Sequence, residues 1–101
     1  MHLVQILLPL FDNEGGKIPR EHYETVAAEI TARFGGLTAY TRSPAQGRWK
    51  REEATNYDDV IVLEVMVRNL DRRWWGDLRK RLEDDFRQQE IVIRAQPIER
   101  L

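Results

Sequence analysis

Apolar residues in this chain follow two rhythms, short unbroken or alternating runs and longer stretches spaced at three and four residues. Leu3-Val4-Gln5-Ile6-Leu7-Leu8-Pro9-Leu10 is a β-rich run closed by the turn-forming Asp12-Asn13-Glu14-Gly15-Gly16, which predicts a first strand and a loop. Pro19 in a first turn, with Glu21 behind it to meet the helix dipole, opens a helix. Its apolar positions Tyr23, Val26, Ala27, Ile30 and Phe34 form one stripe, and Gly35-Gly36 stops it. Leu37 to Thr41 reads as a second strand, followed by a polar loop that runs to Asp58-Asp59. Val60 to Val67 is almost continuously apolar or β-branched, as a central strand would be. Asn69 or Asp71 can cap a second helix whose stripe is Trp75, Leu78, Leu82 and Phe86, with Arg72, Arg79, Lys80, Arg81, Glu83 and Asp84 on the wet side. Glu90 to Gln96 is a fourth strand, and Pro97 marks its frayed end or a sheet edge. No repeat, low-complexity segment or linker interrupts the series, so residues 1–101 read as one domain.

The order β-α-β-β-α-β is that of a ferredoxin-like α+β sandwich: a four-stranded antiparallel sheet, spatial order 4-1-3-2, with both helices on one face. Strand alternation sends Val4, Ile6, Leu8, Ile61, Leu63, Val65, Val67, Ile91, Ile93 and Ala95 to the helix side. Leu3, Gln5, Leu7, Val60, Val62, Glu64, Met66, Val92, Arg94 and Gln96 fall on the open side.

That open side carries more large apolar residues than a solvated face needs, which predicts a homodimer through facing sheets or a ligand surface. Gln5, Glu64 and Arg94 sit among them. With the first strand between the third and fourth, the three form a cross-sheet row, Glu64 to Gln5 to Arg94. A buried Glu64 requires a partner, or its pKa rises and it becomes a candidate general acid or base. The plainer reading of the row is a satisfied polar contact that fixes the register of a dimer.

The segment after the second strand concentrates groups that bind small molecules. Ser43 and Gln46 offer hydrogen bonds, Arg42, Arg48 and Lys50 offer positive charge, and Tyr40 and Trp49 offer flat faces. These seven residues are the candidate site for a small anionic or aromatic ligand, and a long loop in a small domain is more often functional or disordered than idle. The bland alternative makes Trp49 a packing anchor among solvated charges.

Composition narrows the partners. The chain has 101 residues, 42% hydrophobic and 33% charged, enough for one core. Its 16 basic and 17 acidic residues leave a net charge of −1, which argues against an overall field for nucleic acid or anionic membrane. Arg48-Trp49-Lys50-Arg51 has the look of a single-strand contact, but Glu52 and Glu53 cancel most of its charge. There is no cysteine, which excludes disulfides and thiol chemistry and fits a reducing cytoplasm. The apolar run from Leu3 to Phe11, broken by Gln5 and Pro9, is neither a signal peptide nor a membrane span. His22 reads as a solvated helix residue and Asp58-Asp59 as strand-entry residues. No Walker loop, dinucleotide fingerprint or nucleophile elbow is present, so nothing calls for a metal or cofactor. Trp74 and Trp75 read chiefly as packing residues, with Trp74 the plausible exposed anchor.

Phe34-Gly35-Gly36-Leu37-Thr38-Ala39-Tyr40, Ser43-Pro44-Ala45-Gln46-Gly47-Arg48-Trp49-Lys50, Asp58-Asp59-Val60-Ile61-Val62 and Trp74-Trp75 together resemble a family of small uncharacterised bacterial proteins. The chain is more remotely similar to a larger domain family of unknown function sharing the Gly-Leu-Thr strand and a later Gly-x-Trp. The resemblance implies a bacterial cytoplasmic origin and draws attention to the segment from Leu37 to Lys50. Three functions follow as expectations. The first is a homo-oligomeric module binding a small ligand at the 42–50 loop. The second is a dimeric α+β barrel-type enzyme with Glu64 as acid or base, Gln5 beside it and Arg94 holding a carboxylate or enolate. The third is an interaction protein that docks through the open face or Trp74.

Overall fold

A computed structural model describes residues 1–42 and 60–101, Arg42 through its backbone only. The elements are β1 (His2–Pro9), α1 (Arg20–Phe34), β2 (Thr38–Arg42), β3 (Val60–Val67), α2 (Arg72–Asp85) and β4 (Val92–Pro97). The strands make one antiparallel sheet in the order β2-β3-β1-β4, which is the expected 4-1-3-2 order read from the other edge.

Local chemistry explains where each element starts and stops. Pro19 stands at the N-cap of α1 rather than inside its first turn, and its side chain offers no capping bond. At the other end Gly35 turns left-handed at φ 83°, and its N–H donates to Thr31 O at 2.8 Å. Glycine adopts that conformation without the Cβ clash that other residues meet. Of the two candidate caps for α2, Asp71 is the one used, accepting from Trp74 N at 3.1 Å. β2 begins at Thr38, one residue later than the pattern suggests, because Leu37 packs against the core instead of joining the ladder. β4 begins at Val92 for a different reason: the N–H of Ile91 donates to the Glu83 carboxylate at 3.0 Å, which ties α2 to the entry of the last strand.

The core lies between one sheet face and the two helices. Val4, Ile6 and Leu8 of β1 and Leu63, Val65 and Val67 of β3 meet Val26 and Ile30 of α1 and Trp75, Leu78 and Leu82 of α2, with Phe86 and Ile91 beyond the helix. These are the positions that strand alternation and the helical stripes assign to the interior, and burying such side chains is the main favourable term in folding. The Tyr23 ring meets Phe86 edge-on at 5.4 Å while its hydroxyl donates to Pro9 O at 2.5 Å, and burial pushes its pKa above the ordinary 10.0. His22 departs from expectation. Instead of standing in solvent, its ring packs edge-on against Phe86 at 5.6 Å and is half-buried, because Phe86 closes the end of the core under the first turn of α1.

Candidate functional site

Antiparallel register fixes which open-face side chains are neighbours, since directly paired residues point to the same side. Thr38 pairs with Glu64, Glu64 with Gln5, and Gln5 with Arg94, so one row crosses all four strands. The next row runs Tyr40, Val62, Leu7, Val92.

The first row is a continuous hydrogen-bond chain. Arg94 Nε donates to Gln5 Oε1 at 2.8 Å, and Gln5 Nε2 donates to Glu64 Oε1 at 2.8 Å. Tyr40 joins from the adjacent row: its hydroxyl donates to Glu64 Oε1 at 3.2 Å and accepts from Gln5 Nε2 at 3.3 Å. The amide of Gln5 therefore has both ends assigned by charge, its oxygen to the guanidinium and its nitrogen to the carboxylate. Glu64 is half-buried, not buried, and its Oε1 has two donors, so the condition for an uncompensated interior carboxylate is not met. Being on a face without a helix keeps it within reach of water.

Around this row the open face is apolar and partly exposed. Met66 is 46% exposed, Val92 45% and Tyr40 41%, while Leu3 and Leu7 are half-buried. Val62, between Leu7 and Tyr40, is only 1% exposed although it lies outside the core packed against the helices.

The predicted residues thus divide. Gln5, Glu64 and Arg94 meet as the alternation argument placed them. Tyr40, assigned to the ligand loop, also belongs to the same constellation, and its strand parity with Thr38 is the signal that finds it. Arg42 closes β2 opposite Val60. Its side chain, and Ser43, Gln46, Arg48, Trp49 and Lys50 with the neighbouring Asp58-Asp59, lie outside the described residues. Trp74 is no free anchor. It is half-buried, edge-on to Phe34 at 5.5 Å and to Trp75 at 4.8 Å, with the Arg33 guanidinium 4.3 Å from its ring centroid. Arg33, Arg68 and Arg100 share a cleft beside β3, a grouping that sequence reasoning missed because each follows or ends a different element.

Among the described residues no group of three or more His, Asp or Glu is arranged to hold a metal ion. No described helix is long and apolar enough to cross a membrane.

Fold and row together define the class, an open-faced ferredoxin-like α+β sandwich with a polar chain on its free sheet face. Comparison with family models, curated proteins and solved structures finds no match to this chain.

Proposed function

We propose that the protein is a homodimeric small-ligand-binding module that pairs through its helix-free sheet face. The ligand is anionic or aromatic, and its site is built from Tyr40 and the 42–50 segment that follows it in the chain. The observation that carries this reading is the row Glu64, Gln5, Arg94.

The row is self-complementary. Neighbouring strands stand about 4.8 Å apart, so negative, neutral and positive groups follow one another at even spacing across β3, β1 and β4. A half-turn about an axis lying along β1 above Gln5 exchanges the two ends. Each Arg94 then faces the partner's Glu64, Leu7 meets its own copy, and exposed apolar surface at Met66 and Val92 leaves water. Such an isologous contact is what a twofold axis requires. The groups proposed to bind the ligand follow one another in the sequence, Tyr40 for a flat face, Arg42, Arg48 and Lys50 for charge, and Ser43, Gln46 and Trp49 among them.

Native mass spectrometry of gently purified protein tests both parts. A dimer carrying a reproducible extra mass supports the reading, and Val92→Asp, at an exposed position of that face, should return it to a monomer. A monomer without retained mass would overturn it.

A further inference from the structure

The β2 ladder ends where Thr38 meets Glu64, but β3 continues through Val65, Met66 and Val67. On that last stretch β3 is paired with β1 on its inner edge and with no described strand on its outer edge. The bare edge opens onto a cleft of about 570 Å³, a size typical of small-molecule sites.

Three arginines line this cleft: Arg33 from the last turn of α1, Arg68 just past β3, and Arg100 beyond β4. None has an ion-pair partner among the described residues. Arg20, Arg79, Arg81 and Arg87, by contrast, are matched to Glu24, Glu83, Glu29 and Glu14. Arg33 is also held in place, its guanidinium 4.3 Å from the Trp74 ring centroid and 5.5 Å from that of Phe34. Stacking of this kind orients the guanidinium while leaving its N–H groups available. In a chain of net charge −1, three unmatched guanidinium groups sharing one concavity repel one another, and a bound anion relieves that repulsion.

We propose that this cleft is a binding site for a small organic polyanion, a phosphate ester or a polycarboxylate. Its charged end is gripped by Arg33, Arg68 and Arg100, and its apolar part rests on Phe34 and Leu37. Glu64 also lines the cleft and repels a ligand that is negative throughout, so the negative charge belongs at one end of the molecule. This site uses none of the 42–50 residues and does not depend on the dimer.

Two probes with their charge at one end test it, phenyl phosphate for the phosphate arm and phenylsuccinate for the carboxylate arm, titrated against the full chain by calorimetry and by amide chemical shifts. The expected result is saturable binding of at least one probe, weakened by added salt, with shifts concentrated at residues 33–38 and 64–68. Arg68→Ala combined with Arg100→Ala, both at exposed positions, should weaken that binding at least tenfold. Arg72→Ala with Arg73→Ala removes two exposed arginines that do not line the cleft and should leave it unchanged. No saturable binding of either probe, or equal loss in both double variants, would overturn the proposal. The oligomeric state reports separately on the sheet face.

Discussion

Gln5 Nε2 donates to Glu64 Oε1 at 2.8 Å, and this bond sets the polarity of the whole open-face row, because the same amide must then turn its oxygen toward Arg94. Replacing that amide by a second carboxylate reverses the match. In Gln5→Glu, two like charges stand directly opposite on paired strands, an arrangement that destabilises sheets. The expected loss at neutral pH is about 1 kcal/mol, read from urea unfolding. It should shrink as the pH falls below about 4, where carboxylates take up protons. A variant with the wild-type midpoint at every pH would show that the row contributes nothing to the fold.

Glu83 provides a second pH-dependent element. Its carboxylate accepts from the N–H of Ile91 at 3.0 Å and from Arg79 at 3.0 Å, and these bonds, the backbone one first, hold its pKa below the ordinary 4.5. A carboxylate depressed in the folded state stabilises that state above its unfolded pKa and loses the contribution as pH falls through its folded value. Glu83→Gln should therefore lower the melting temperature at pH 7, and the difference from wild type should close on acidification below about 4. A gap that is independent of pH would assign the effect to packing.

The stop of α1 rests on backbone conformation alone. A Cβ at Gly35 would meet nothing within 4 Å, yet φ is 83°. Gly35→Ala is accordingly expected to destabilise by roughly 1–2 kcal/mol, and Gly35→Asn by less, since asparagine tolerates the left-handed region better. Equal stability of the alanine variant would mean that the turn relaxes to another geometry.

At the start of α2, Asp71→Ala removes the side-chain acceptor for Trp74 N and should cost about 1 kcal/mol. Asp71→Ser keeps an acceptor and should recover most of it. Circular dichroism during thermal unfolding distinguishes the two variants.

Much of this architecture is legible in the residues because several signals coincide there. β3 is eight residues of nearly unbroken β-branched and apolar character, and it appears at Val60–Val67 as read. The α2 stripe Trp75, Leu78, Leu82, Phe86 is buried throughout. Boundaries shift where a tertiary contact outweighs local pattern, as when Glu83 takes the N–H of Ile91 that a strand reading gives to β4. The row was readable because a strand period of two leaves no freedom once the topology is known. Tyr40 escapes it because the face it takes follows from the pairing of β2 with β3, Thr38 opposite Glu64, rather than from its place beside the polar segment. The arginine cleft left no trace in the linear order, since Arg33, Arg68 and Arg100 are brought together by element ends, where periodicity carries no information. His22 shows the limit of reading a polar residue as solvated: an aromatic neighbour 64 positions away is invisible to helical spacing.

The central place of β1 has a consequence for how the protein is made. It precedes both of its neighbours in sequence, lying between β3 and β4, and Gln5 bonds to a residue 89 positions later. An emerging chain therefore carries Ile6, Leu8 and their neighbours past the ribosome exit with neither neighbouring strand available. The sheet can close only after β4 has been made, and contacts so distant in sequence make closure slow relative to helix formation. Until then β1 is open to mispairing with other chains, so the interval between the synthesis of β1 and that of β4 is when this fold most needs a chaperone.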